Sequence, residues 1–285
     1  MRVFVTGGKG QLGTALLAAL GEHEVLITDV EEADITSYDG FSAALDAFGP
    51  DLVIHGAALT DVDGCERNPD LAYRVNALGT QNVALACHRA GVPLVAVSTD
   101  YVFPGDGGAP YLEFDDPNPI SVYGRSKLAG ERLALALHDR TFVVRTAWVF
   151  SEVGRNFVKT MLRLSGERES LTVVSDERGC PTYATDLATA IGQLMTTTRY
   201  GIYHFTNEGE CSRHEFAREI VRLAGRSTRV EPITAAEYAK VNPLPAKRPT
   251  DGRLRNFCGA EGLGIRLRPW QEALAVCVHN LTAGS

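Results

Sequence analysis

Between Arg2 and Thr146 the chain alternates short β-rich apolar runs with stretches whose apolar residues recur at the three-and-four spacing of a helix. Arg2 to Thr6 is the first such run; glycines follow, then Leu12, Ala15, Leu16, Ala19 and Leu20 at helical spacing. The pattern predicts a strand, a tight turn and a helix. Val25 to Thr28, closed by Asp29, and Leu52 to His55 read as further strands, with helix-compatible sequence around Phe41 to Phe48 between them. A helix within Leu71 to Ala90, a strand at Leu94 to Val97, a helix after Tyr123 and a strand at Phe142 to Thr146 continue the alternation.

Strands joined by helices run parallel through right-handed crossovers, so the expected fold is α/β, a doubly wound parallel sheet of Rossmann type with a smaller carboxyl-terminal α/β lobe. The dinucleotide-binding domain is expected at 1–146, with later segments near 171–205 returning to it, and 147–285 as mainly the substrate-binding lobe. From Ala147 the pattern loosens, and two capping boxes, Ser212 with Glu215 and Thr234 with Glu237, mark short helices. Phe103 to Ile120, rich in Gly, Pro and Asp, reads as a long functional loop over the site that closes on substrate. The Pro-rich stretch Asn242 to Pro249 reads as an ordered loop, because an amphipathic segment near Trp270 to Val278 still follows it.

Composition narrows the function classes. A chain of 285 residues with 45% hydrophobic and 22% charged positions has enough apolar sequence for a sizeable core. A net charge of −7 without a Lys/Arg run speaks against a nucleic-acid or anionic-membrane surface, since both need a concentrated positive field. No run of apolar residues is long enough for a membrane span, and the amino terminus reads directly into a strand without a leader, so the expected location is the cytoplasm. Asn280-Leu281-Thr282 matches a glycosylation acceptor, which a protein kept from the secretory route would never use. Six dispersed cysteines and seven scattered histidines show no ligand spacing, so no metal is expected. Asp61 and Asp63 read as carboxylates ordering a turn.

The first candidate chemistry lies in Thr6-Gly7-Gly8-Lys9-Gly10-Gln11-Leu12-Gly13, which follows a predicted strand and opens a predicted helix. Gly7 permits the tight turn, Gly10 lets a pyrophosphate approach the backbone, and Gly13 allows close helix packing, while the helix amino terminus offers unpaired N–H groups. Asp29, closing the second strand, can accept hydrogen bonds from an adenosine ribose and repel a 2′-phosphate. Tyr123 and Lys127 share a helix face four residues apart, and a nearby cation lowers a phenol from its ordinary pKa of about 10. Thr99 follows a strand and so sits at the carboxyl edge of the sheet, where a carbonyl and a nicotinamide would meet.

Taken in order, these residues resemble the extended short-chain dehydrogenases and, within them, the dTDP-4-dehydrorhamnose reductase family. The likeness spans nearly the whole chain: Gly10-Gln11-Leu12-Gly13, Ala57 to Asp63, Val75-Asn76, Ser98-Thr99-Asp100-Tyr101-Val102-Phe103, Tyr123 to Lys127 with Gly130-Glu131, Arg145 to Val149, Asn156-Phe157 and Gly179 to Thr182. The resemblance implies hydride transfer from NADPH or NADH to a 4-keto sugar nucleotide, with Thr99, Tyr123 and Lys127 catalytic. It further implies cofactor contacts from Gly7, Gly10, Gln11, Leu12, Gly13, Asp29, Asp34, Ile35, Ala57, Ala58, Asn76, Tyr123 and Lys127. Substrate contacts are expected from Thr60, Val62, Thr99, Asp100, Tyr101, Trp148, Asn156 and Arg248, with Trp148 equally readable as core.

Two positions depart from the family pattern. Where the family tends to read Arg-Pro-x-Asn-Ser-x-Leu, this chain has Arg248-Pro249-Thr250-Asp251-Gly252-Arg253-Leu254, which opens the choice of nucleotide and sugar. The tail Asn280 to Ser285 has no carboxylate side chain of the kind that bridges some relatives through a metal, so a monomer or weak homodimer is expected. Alternative readings are a reductase of another nucleotide keto-deoxysugar, an epimerase using the same Tyr and Lys, or a regulatory subunit that binds a dinucleotide without turnover.

Overall fold

The structure is a computed structural model that describes residues 1–283; Gly284 and Ser285, the end of the tail, lie outside the described residues. The first half runs β1 (Arg2–Thr6), α1 (Gln11–Ala19), β2 (Glu24–Thr28), α2 (Tyr38–Phe48), β3 (Leu52–His55), α3 (Val62–Arg67), α4 (Pro69–Tyr73), α5 (Thr80–Ala90), β4 (Leu94–Thr99), α6 (Val122–Leu137) and β5 (Thr141–Thr146). The second half runs β6 (Val149–Phe150), α7 (Phe157–Glu167), β7 (Ser170–Val174), β8 (Arg178–Gly179), β9 (Thr182–Tyr183), α8 (Ala184–Leu194), β10 (Gly201–His204), β11 (Cys211–Ser212), α9 (Arg213–Leu223), β12 (Arg229–Ile233), α10 (Ala235–Val241), α11 (Cys258–Leu263) and α12 (Trp270–Ala283).

Six parallel strands form the main sheet in the order β10-β5-β4-β3-β1-β2. Every residue of β3 and β5 is buried, as a parallel strand covered by helices on both faces requires. Leu16 of α1 and Leu187, Ile191 and Leu194 of α8 fill one face, while Phe41 and Leu45 of α2 and Val83 and Cys87 of α5 fill the other. The order reverses between β1 and β3, and the crevice at their carboxyl ends is where ligands of such sheets bind.

The second core holds the lobe together through Phe150, Met161, Phe216, Ile220, Trp270 and Leu274. Both expected capping boxes are formed, at Ser212 with Glu215 and Thr234 with Glu237. The expected return to the main sheet is narrower than 171–205. β7 pairs with β12, β8 with β11 and β9 with β6, so the chain rejoins the sheet only with α8 and β10. The reason is visible in β7, where Leu171 and Val173 are buried and Ser170 and Thr172 exposed, a one-faced strand unsuited to a sheet covered on both sides.

Two further segments differ from the expectation. The helix within Leu71 to Ala90 is interrupted by a π-helical turn at Arg74–Gly79, which rotates Asn76 into the interior. The Phe103 to Ile120 loop is tethered: Tyr111 stacks on Phe103 with ring centroids 4.3 Å apart, and its phenol oxygen accepts from the backbone N–H groups of Gly105, Asp106 and Gly107 at 3.1, 3.1 and 3.0 Å. Farther along, the buried Glu113 carboxylate accepts from the backbone N–H groups of His204, Phe257 and Cys258. These bonds fasten the loop to β10 and α11.

Candidate active site

A groove of ≈ 840 Å³ opens at the reversal point. Its lining includes Gly7, Gly10, Gln11, Leu12 and Gly13 from the glycine loop, Asp29 from the end of β2, Asp34 and Ile35, and Ala57, Ala58 and Thr60 after β3. Gly7 has φ +74, and a Cβ there would lie 2.7 Å from the backbone nitrogen of Ala57, so the two loops meet only because no side chain intervenes. A Cβ on Gly13 would lie 2.6 Å from the Gly7 carbonyl. Gly10 opens α1 with no side-chain cap, leaving the helix amino terminus free for an anion. This cradle fits the pyrophosphate of a dinucleotide.

At the adenosine end, Asp29 accepts from the Lys9 backbone at 3.0 Å and from Val30 at 2.9 Å, while Lys9 pairs with Glu31 at 2.7 Å. Arg74 and Arg155 also line the groove, two cations that the sequence reading did not single out. No residue of 103–120 is among the described residues that line this groove.

Thr99, Tyr123 and Lys127 converge just past the groove wall at Val97, and all three are nearly buried. β4 delivers Thr99 at its last residue, and Ser121 caps α6 so that Tyr123 and Lys127 fall in its first two turns. The Thr99 hydroxyl accepts from the Tyr101 backbone at 3.2 Å, donates to the Asp100 carboxylate at 2.9 Å and is hydrogen-bonded to the Tyr123 phenol. Lys127 Nζ donates to the Val97 carbonyl at 2.8 Å.

The electrostatics correct one expectation. Burial pushes the Tyr123 phenol well above its ordinary value, against the downward pull of Thr99, instead of Lys127 bringing it down. Burial likewise lowers Lys127 to about 8, with Glu131 pulling upward, and raises Asp100 to about 6. His55 is pushed down to about 3 by burial and by the Lys127 charge. Burial thus keeps the phenol neutral and leaves the ammonium poorly compensated.

On the lobe side, Tyr101 packs edge-on against Tyr123 with centroids 5.4 Å apart, in a cluster that includes Val62. Trp148 adopts φ 47, a strained backbone for a bulky residue, and its ring presses so closely on Gly179 that a Cβ there would collide with it. The Arg213 guanidinium lies 3.6 Å from the Trp148 ring centroid and exerts its charge on Asp100 and Tyr101. The sequence reading missed Arg213, because it opens a helix far downstream and meets Trp148 only through the fold.

Three predicted ligand residues have their side chains engaged in structural bonds. Asn76, 1% exposed, accepts from the Leu59 backbone and donates to the Leu59 carbonyl and the Ser126 hydroxyl, so it pins the post-β3 loop to α6 and has no group aimed at a cofactor. Asn156 caps α7 through Lys159 and donates to Gln11 and to the Ser151 carbonyl, joining the lobe to the glycine loop. Arg248 is clamped by Asp63 at 2.8 Å, so Asp63 bridges to the lobe where a turn-ordering role was expected; Asp61 does order its turn, as the cap of α3. Where the family reads Ser, Gly252 lies against Asp100, and a Cβ would be 2.5 Å from its carboxylate; Asp251 pairs with Arg253 at 2.6 Å.

Comparison with known proteins agrees with this geometry. The family model described as RmlD substrate binding domain matches residues 1–283. A dTDP-4-dehydrorhamnose reductase of Aggregatibacter actinomycetemcomitans is 41% identical over 96% of this chain and 97% of its own length. One of Mycobacterium tuberculosis is 41% identical over 97% of this chain and 92% of its own. A crystal structure of the Bacillus anthracis dTDP-4-dehydrorhamnose reductase in complex with NADP superposes with a TM-score of 0.94 at 40% identity, covering 98% of this chain and 99% of that one. Matched by that family model over nearly its whole length and about 40% identical to these reductases, the chain belongs to the RmlD family of dTDP-4-dehydrorhamnose reductases.

Proposed function

We propose that the protein reduces the C4 carbonyl of dTDP-4-dehydro-6-deoxy-L-mannose to give dTDP-L-rhamnose. The observation that carries this reading is the meeting of the Thr99 and Tyr123 hydroxyls at the inner wall of a groove lined by the glycine cradle. NADPH or NADH supplies the hydride when bound. The chain supplies the rest. Gly7, Gly10 and the α1 amino terminus hold the pyrophosphate, and Asp29 receives ribose hydroxyls.

Reduction needs a proton at the developing alkoxide, and Tyr123, kept neutral by burial, holds one at neutral pH. Thr99 can turn the hydrogen it donates to Asp100 onto the same oxygen and so orient it. Once the proton has left, the Thr99 hydroxyl can turn its hydrogen from Asp100 to the buried phenolate and stabilise it. Tyr101, Trp148 and Arg213 form the wall against which the sugar nucleotide would lie, and Arg213 offers its charge to the diphosphate.

Asp29, Glu31 and Glu32 surround the adenosine end and hold Lys9 through Glu31, which favours NADH over a cofactor with a 2′-phosphate. We place the enzyme in the cytoplasm as a monomer or weak homodimer; all six cysteines are free, and among the described residues no helix is long and apolar enough to cross a membrane. The test is loss of reduced-nicotinamide absorbance on mixing the protein, NADH or NADPH, and fresh dTDP-4-dehydro-6-deoxy-L-mannose. Substrate-dependent loss supports the proposal; cofactor binding without consumption would point to another keto sugar or a regulatory role.

A further inference from the structure

The amino-terminal edge of the main sheet, opposite the edge that carries Thr99, brings His88 together with the adjacent pair His138 and Asp139. His88 lies in the last turn of α5, His138 ends α6, and Asp139 follows it; the helices lead into the neighbouring strands β4 and β5. One ligand atom from each of the three lies within 4.8 Å of the other two. The two histidine rings meet edge-on with centroids 5.8 Å apart.

His138 carries the decisive detail. It is 2% exposed, and its Nε2 lies 2.9 Å from the Val92 carbonyl. A carbonyl only accepts, so Nε2 bears the proton and Nδ1 is left with a bare lone pair. That Nδ1 is buried with no hydrogen-bond partner and faces Asp139 Oδ1 at 3.8 Å. A lone pair turned toward a carboxylate is repulsive as it stands, and an unpartnered buried acceptor is costly. A cation between the two removes both penalties.

We propose that His138 Nδ1, His88 and Asp139 form a binding site for a divalent ion of the zinc class, with water completing a tetrahedron. Two imidazoles and a carboxylate suit Zn²⁺, Co²⁺ or Ni²⁺ and not the harder Mg²⁺ or Ca²⁺. The Val92 carbonyl fixes the ligating tautomer, as outer partners of metal-bound histidines do. The carboxyl-terminal ends of α5 and α6 contribute negative dipole ends. The nearby Arg89 is held by Asp46, and Arg140 by the Gly91 carbonyl and the Tyr200 hydroxyl. Metal–ligand bonds of ~2.1 Å bring ligand atoms to about 3.4 Å, and the exposed side chains of His88 and Asp139 are free to make that closure. The ion would tie the ends of the two helices together.

The test is titration of the chelator-stripped, tag-free protein with Co²⁺, followed by visible absorption and by displacement with Zn²⁺. One Co²⁺ per chain with the intense visible band of tetrahedral coordination is expected, together with a Zn²⁺-dependent rise in Tm. His88→Asn and Asp139→Asn change exposed side chains and keep the fold, and each should weaken binding by roughly tenfold or more. No visible band in the unmodified protein, or unchanged affinity in both variants, would overturn the site. Catalytic turnover does not enter the readout, so failure here is separate from failure of the reductase reading.

Discussion

Two buried charges sit one turn apart on α6, and they are treated in opposite ways. Glu131 accepts from Arg145 at 2.7, 3.0 and 3.2 Å and from the Ser98 hydroxyl, and Arg145 also lies over the Phe103 ring; only its Nη1 lacks a partner among the described residues. Lys127, equally buried, donates to the Val97 carbonyl at 2.8 Å and feels Glu131 only at a distance. The first arrangement secures the helix to β4 and β5. The second leaves a cation short of partners one turn along α6 from Tyr123, a deficit that a bound nucleotide can make good. The difference teaches that stability and chemistry are allotted to neighbouring turns of one helix.

The comparison breaks most readily at Tyr123. Tyr123→Phe should lower kcat by roughly a hundredfold or more while leaving cofactor affinity and folding stability nearly unchanged, measured by steady-state kinetics beside a binding titration. Undiminished turnover would remove the phenol from the mechanism.

Glu131→Gln tests the other turn. It strands the Arg145 charge in the core and should cost about 3–5 kcal/mol in urea unfolding. A loss below about 1 kcal/mol would mean that the pair does not secure the helix.

Lys127→Met should abolish turnover and yet stabilise the cofactor-free protein by about 3 kcal/mol at neutral pH. The sign follows from linkage. The folded value near 8 lies below the unfolded 10.5, so the charged lysine opposes folding fully below pH 8, and this penalty fades as pH rises toward 10.5. Unfolding curves of the variant and the parent should therefore converge at high pH; a gap that stays constant would refute the buried-charge account. The smallest effect is expected for Ser98→Ala, about 1 kcal/mol, since Glu131 keeps Arg145.

The sequence showed most clearly what depends on local pattern. The alternation of strands and helices, the glycine cradle and the Tyr123 and Lys127 pair all follow from spacing within a few turns of chain, and each is found where the pattern predicts it. Asn76 defeated the reading because a π turn rotated it inward, and no residue-level signal marks where one extra residue enters a helix. Asn156 was expected at the substrate and instead caps α7, because capping competes with ligand binding for the same amide and no helix was expected to follow it. Arg213, Glu113 and the His88, His138 and Asp139 cluster owe their roles to partners distant in sequence, which no periodicity reports.

One phenol oxygen bears on motion on the scale of minutes to hours. Tyr111 gathers the amides of Gly105, Asp106 and Gly107 onto a single acceptor, and its ring is held against Phe103. Three amides that share one acceptor can be exposed only by the departure of that ring, so they should trade their hydrogens for deuterium together, at one common rate set by Tyr111 leaving its stack. This glycine-rich stretch then opens as a single latch, and its exchange rate reports how often Tyr111 leaves Phe103.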